Sequence, residues 1–395
     1  MIRESNETLI SYIRRILAND DIDKGEQYEL IFGDGVAYDT ARKQLRGVQN
    51  LLDKIDEEEI ESINDVSLLE KIETAQQNLK KERIKLSSES LLYNRKLREE
   101  ARQELIDEKI IEAIENIMVA PPPLIIAPTK NDLELSLCIA DEHIGCEFEI
   151  KDLAGQVINK YNNQIFEQRM WQVLAETLPY SKDFKKIKVF DLSDAIEGII
   201  HFSQLMNLEY GAIDSAVYFG KFMLRWLHEL SQKFMVEIGV ADSNHTQMRI
   251  LTGKKNDFPQ ENLTKVIRAM IEIGTANNPN ISLLPCTDVG SVYTQVAGFD
   301  ILAVHGHEEK RNLEESFKDY TTFYSDNNID YMLIGHLHYN GFSDVGANKC
   351  IIQIPSIVGA SIHSQKIKKR ANAGATVLVF EKDKGLVDQH NIILN

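Results

Sequence analysis

The chain has 395 residues, of which 43% are hydrophobic and 27% charged, and its formal net charge is −17. That length and apolar content support one large core or two to three smaller ones. The acidic balance excludes a general nucleic-acid coat or a protein held to an anionic membrane by overall charge, because like charge repels unless cations cluster locally.

Residues 1–50 read as a small helical unit. Leu9, Tyr12, Ile13 and Ile16 have helical spacing, Gly33-Asp34-Gly35 makes a turn, and a helix with Arg42, Lys43 and Arg46 follows. The order of helix, glycine turn and basic helix is helix-turn-helix-like. Against that, the segment holds seven Lys/Arg and nine Asp/Glu, a net of −2 (7 − 9). DNA binding and a plain docking role both stay open.

Residues 51–120 form a charged, nearly glycine-free helical arm. Ile72, Leu79, Leu86 and Tyr93 recur every seven residues, but the companion seam runs Leu69, Gln76, Arg83, Ser90. Half a coiled-coil stripe is therefore apolar, and a homo-oligomer through the N-terminal helices is expected. Residues 121–130 are a proline-rich linker that begins at Pro121-Pro122-Pro123. The longest apolar stretch lies here and is too short and proline-broken to span a bilayer, so no membrane partner is expected. Four cysteines without Cys-x-x-Cys spacing, and no signal segment, lead us to expect a cytoplasmic protein with reduced thiols.

From 131 to 395, strands and helices alternate, which implies a layered α/β domain. Helices are expected at 165–178, 214–234, 262–273 and 313–324, and antiparallel strands at 350–354 and 375–381. Five strand-like runs end in side chains that bind metals well. They deliver Asp141-Glu-His143, Asp191-Leu-Ser-Asp194, Ser243-Asn244-His245, His305-Gly-His307 and Gly335-His336-Leu-His338. Six of the ten histidines lie in these five places, and mixed oxygen and imidazole donors suit Mn, Fe, Zn or Mg.

The ordered set Asp-x-His, Asp-x-x-Asp, Asn-His, His, Gly-His-x-His resembles the calcineurin-like metallophosphoesterases, over roughly residues 130–395. The finer likeness is to phage- and prophage-encoded members related to double-strand-break repair exonucleases. It rests on Phe202-Ser-Gln-Leu205, Trp226-Leu-His-Glu-Leu230 and the stretch after Asn244 with Arg249, Lys254, Lys255 and Glu261-Asn262. The resemblance implies a sandwich of two mixed β-sheets flanked by helices, preceded here by an all-α N-terminal region. It implies two divalent metal ions, Mn first and Fe, Zn or Mg otherwise. Asp191 would bridge them; Asp141, His143 and His338 would complete one site, and Asn244, His305 and His336 the other. His245 would assist the leaving group while a metal-bridging hydroxide attacks phosphorus. Asp194 would only hydrogen-bond its loop.

Three departures from the family pattern stand out: Phe190 precedes Asp191, Ser243 precedes Asn244, and Thr246 follows His245 where an orienting acid is usual. Asp242 is the expected substitute for that acid. The resulting expectation is a metal-dependent phosphodiesterase, a DNA nuclease in the bacterial host cytoplasm if phage-encoded. The alternatives are a small-nucleotide (cyclic nucleotide) phosphodiesterase and a non-catalytic DNA-binding or scaffolding protein.

Overall fold

The computed structural model describes the chain except residues 1–2, 4–6, 20, 34–37, 53–64, 118–122, 124, 127–132, 199–207, 249–260, 311 and 369. Most of the proline-rich linker therefore lies outside the described residues, as do Phe202-Ser-Gln-Leu205, Arg249, Lys254 and Lys255. The chain divides into two compact units, Met1–Glu99 and Glu100–Asn395.

The first unit opens with three short helices, α1 (Leu9–Leu17), α2 (Lys24–Phe32) and α3 (Tyr38–Leu52). Thr8 and Asp23 cap α1 and α2 by accepting from backbone N–H groups of the first turn, which would otherwise be orphaned. Tyr28, Ala41 and Leu45 form a small core with Leu17, Ile31 and Phe32 packed on it. The long helix α4 (Asp65–Glu115) has its apolar residues spread around its circumference. Leu79, Leu86 and Tyr93 are exposed, and so are Ile84, Leu91 and Leu92 off that seam. At its far end Ile106 and Ala113 are buried, and Lys109 pairs with Asp214 at 2.7 Å.

The second unit is built on two sheets. One holds β1 (Leu133–Ile139), β4 (Lys186–Asp191), β5 (Met235–Val240), β6 (Ile281–Leu283), β12 (Gly374–Glu381) and β13 (Gly385–Ile393), in the order β13-β12-β1-β4-β5-β6. The other runs β10-β11-β9-β8-β7, with β7 (Val292–Val296), β8 (Phe299–Val304), β9 (Tyr331–Ile334), β10 (Gly341–Gly346) and β11 (Lys349–Gln353). A hairpin of β2 (Phe148–Lys151) and β3 (Val157–Tyr161) stands apart.

Strand alternation builds the layers. Leu135, Leu137 and Ile139 face outward with Ile187 and Val189, onto α5 (Asn163–Thr177), α6 (Ala212–Ser231) and α7 (Thr264–Thr275). Cys138, Ala140, Phe190 and Leu192 face the other way and meet Ile301, Ala303, Tyr331 and Leu333 of the second sheet. Leu302, Val304, Met332 and Ile334 carry α8 (Leu313–Phe323) through Phe317. The expected sandwich of mixed sheets with helices outside is what forms. One expectation needs correcting: β11 is antiparallel to β10 but parallel to β9, so only one of its neighbours fits the antiparallel reading. Among the described residues no helix is long and apolar enough to cross a membrane.

Candidate metal centre

β1, β4 and β5 are mutually parallel in one sheet, and β8 and β9 are parallel in the other. Their carboxyl ends are the five places where the sequence puts metal-grade side chains, and loops there are free to converge. Past the strands the pairing continues through backbone bonds: Asp141 N–H donates to Ser193 O and His143 N–H to Asp194 O, both at 2.8 Å. Asp141, His143, Ser193, Asp194, His336 and His338 all have positive φ, between 45° and 63°. Non-glycine residues hold that conformation only where the surroundings enforce it, at about 1–3 kcal/mol each.

Three groups of ligand atoms result, and one of them, His143 with Glu197 and His245, shares His143 with the first. In the first, Asp141, His143 and His338 lie together, with Asp141 Oδ1 3.5 Å from His338 Nε2. The second joins Asp194, His305 and His336. Asn244 Oδ1 lies 3.0 Å from His305 Nε2, and His336 Nδ1 lies 3.1 Å from the same nitrogen. Asp194 stands between the groups. Its Oδ2 is 3.0 Å from His305 Nε2, 3.9 Å from His143 Nε2 and 3.8 Å from His245 Nε2.

The sequence expectation puts Asp191 in the middle, whereas Asp194 is the aspartate of this loop that joins a ligand group among the described residues. Asp191 is still inside β4, paired with Ile139 and Val240, and its Oδ1 accepts from Ser193 N–H at 2.7 Å. It belongs to none of the close ligand groups found among the described residues. The chain turns only after it, through positive φ at Ser193 (63°) and Asp194 (55°), and that turn brings Asp194 inward. Asp141, His143, Asn244, His305, His336 and His338 are brought together as expected.

Charge at the site is strongly perturbed. Burial, with the nearby Asp194 charge, raises the Asp141 carboxyl to about 7 against the pull of His305. Burial likewise raises Asp191 to about 7. Burial also disfavours a charged His143, yet its 2.8 Å bond to Glu197 and the surrounding carboxylates win and raise it to about 9. Burial and the neighbouring His305 lower His336 to about 4. His338 is lowered well below the ordinary imidazole range by burial and His143. Asp194 is held well below the usual carboxylate range, because His245 and His305 outweigh its burial.

The donors fit divalent cations. Asp141 Oδ2, His143 Nε2, Asp191 Oδ2 and Asp194 Oδ2 are buried with no hydrogen-bond partner, an arrangement that is costly unless something positive sits among them. His305 donates from Nδ1 to Leu192 O at 2.9 Å, so in the neutral ring Nε2 turns a lone pair toward Asn244 Oδ1 and Asp194 Oδ2. Lone pairs facing one another in this way suit a shared cation.

His245 is set by its neighbours. Its backbone N–H donates to Asp194 Oδ1 at 3.1 Å, and its ring Nδ1–H donates to the Glu197 carbonyl at 2.6 Å. The tautomer is thereby fixed and Nε2 faces the centre. Burial lowers its pKa. The expected substitute acid, Asp242, instead binds Arg268 at 2.7 Å. Glu197 takes that place, with its carbonyl on His245 and its carboxylate on His143. Gly198 makes this approach possible: at φ +59°, a Cβ there would lie 2.0 Å from the His245 carbonyl oxygen. Sequence reading missed Glu197, although Asp194-Ala-Ile-Glu197 repeats the acid-x-x-acid spacing of Asp191-Leu-Ser-Asp194. It also missed Glu142, fully buried with both carboxylate oxygens unpartnered, whose pKa burial and the Asp191 charge push well up. His307 lies beside the centre, its ring 5.4 Å from that of His305.

Comparison with known proteins adds to this. Residues 76–117 match the YonJ coiled-coil domain. The chain is 31% identical over 417 aligned positions to the SPbeta prophage-derived protein YonJ of Bacillus subtilis (strain 168), covering 100% of this chain and 98% of that protein. Among solved structures, Vps29 complexed with zinc from Entamoeba histolytica is 13% identical with a TM-score of 0.30, covering 66% of this chain and 99% of that one. A dimetal phosphatase from Danio rerio is 9% identical with a TM-score of 0.33 over the same 66% of this chain and 99% of its own. A metallophosphoesterase from Sphaerobacter thermophilus is 13% identical with a TM-score of 0.30, covering 66% and 88%.

Proposed function

The chain belongs to the YonJ family of prophage-derived proteins, and we propose that its second unit is a dinuclear-metal-dependent phosphodiesterase acting on DNA. The observation that carries this is the Asp194 carboxylate between two groups of nitrogen and oxygen donors. Asp141, His143 and His338 would hold one cation, and Asn244, His305 and His336 the other, with Asp194 shared in the place first assigned to Asp191. Oxygen and imidazole donors without thiolate suit Mn, with Fe, Zn or Mg as further candidates. Two such ions, about 3.5–4 Å apart, lower the pKa of a bound water and screen phosphoryl oxygens.

The chain's own groups supply the rest. Glu197 holds His143 through its carboxylate and His245 through its carbonyl. His245, with its Nδ1–H held by the Glu197 carbonyl, can pass a proton from Nε2 to the leaving oxygen only from its doubly protonated ring, a form that burial disfavours and the Asp194 carboxylate favours. Substrate DNA is put first because the relative is prophage-derived. The exposed Leu79, Leu86 and Tyr93 on α4 support a homo-oligomer through the arm.

The test is a substrate screen of the full chain with Mn, on linear DNA, RNA and cyclic mononucleotides, each repeated in EDTA. DNA cleavage abolished by EDTA is expected. Faster hydrolysis of a cyclic mononucleotide would promote the small-nucleotide reading. Metal binding with no hydrolysis of any diester would point to a non-catalytic scaffolding role.

A further inference from the structure

The three-helix unit at the start of the chain packs around a small core of its own. Its helix α3 has two sharply different faces. Ala41 and Leu45, four residues apart, are buried against Tyr28 and the apolar side chains of α1 and α2. On the other side Arg42, Lys43, Gln44 and Arg46 are exposed. Arg42 and Arg46 share a face at i, i+4, and Lys43 lies beside Arg46 at i, i+3.

Charge sets this helix apart. Between Tyr38 and Leu52 there are three cations and one acid, Asp39, a net of +2 (3 − 1), in a chain of net −17. Arg15 of α1 is engaged by Glu7 at 2.7 Å, whereas Arg42, Lys43 and Arg46 lie exposed. α2 ends at Gly33, whose φ of +87° is a conformation that favours glycine.

We propose that this unit binds duplex DNA, with α3 laid in the major groove and Arg42, Lys43 and Arg46 on the phosphates. Two physical facts select the ligand. Clustered cations on an otherwise acidic molecule draw a polyanion to the face that carries them. A B-form major groove, about 12 Å wide, admits a helix, whereas the deep, narrow major groove of an RNA duplex does not.

The experiment measures binding of the full chain to a labelled DNA duplex by fluorescence anisotropy. It is done in EDTA between 50 and 200 mM salt, so that the catalytic reading plays no part. Each phosphate neutralised contributes about −0.9 to the log–log salt slope on duplex DNA. The variant Arg42→Ala/Lys43→Ala/Arg46→Ala should therefore flatten the slope by up to about 2.7 and weaken binding at least tenfold. A control with the same charge change on the exposed face of α4, Lys80→Ala/Lys81→Ala/Arg83→Ala, should keep the wild-type slope. Arg42→Lys/Arg46→Lys, which retains the charge, should keep most of it. The proposal is overturned if the wild-type chain does not bind duplex DNA, if the α3 and α4 variants lose slope equally, or if an RNA duplex binds as well as DNA.

Discussion

Replacing Asp194 and Asp191 separately by asparagine distinguishes the two candidate bridges, since both are buried aspartates three residues apart at the end of β4. Asp194 Oδ2 lies within 3.0–3.9 Å of imidazole nitrogens from both groups. Residues that merely support a metal ligand typically cost 10–100-fold in affinity when lost. A shared ligand should exceed that at both sites, more than about 100-fold each, or about 2.8 kcal/mol per ion at about 1.4 kcal/mol per decade. Asp191→Asn is different. Its Oδ1 already accepts from Ser193 N–H, a bond the amide oxygen preserves. It should cost less than about tenfold, below the range for supporting groups. Calorimetric titration of the metal-stripped proteins with Mn gives both affinities. Loss of both ions in Asp191→Asn, with Asp194→Asn still binding two, would refute the assignment.

Removing the imidazole in His245→Ala should leave two metals bound but cut turnover on an ordinary diester by about 10²–10⁴. The loss should shrink on a diester with a nitrophenol leaving group, and an equal loss on both would remove the proton-donor role. Gly198→Ala places a Cβ 2.0 Å from the His245 carbonyl oxygen at a φ of +59°. The backbone must shift to relieve that overlap, which should lower turnover while Mn stoichiometry stays at two; unchanged turnover would show that the 197–198 loop does not position His245. A chain beginning at Glu100 should be monomeric by light scattering and still cleave a small activated diester. If the full chain is also monomeric at micromolar concentration, the arm does not hold copies together.

The strand ends were legible because alternation of buried residues and the sudden appearance of histidine at four termini and paired aspartates at a fifth survive any detail of packing. Asp141, His143, Asn244, His305, His336 and His338 follow directly from that pattern. Spacing alone does not separate Asp191 from Asp194 as the proposed bridge, because that depends on where β4 stops. Backbone dihedrals at Ser193 and Asp194 decide it, and spacing alone does not report them. One cue was present: a bulky Phe190 precedes Asp191, whereas the small Ser193 precedes Asp194, as a tight turn prefers. Glu197 was hidden for the same reason, since sliding the motif by three residues moves both acids together. The arm's seam was half legible: Leu79, Leu86 and Tyr93 are exposed as a coiled coil needs, but so are Ile84, Leu91 and Leu92, which the heptad leaves out.

The central claim is that two metals share Asp194, and anomalous diffraction from crystals of the full chain grown with Mn tests it directly. The account predicts two peaks about 3.5–4 Å apart on either side of the Asp194 carboxylate, one against Asp141, His143 and His338, the other against Asn244, His305 and His336. A single peak, or a pair flanking Asp191, would contradict it.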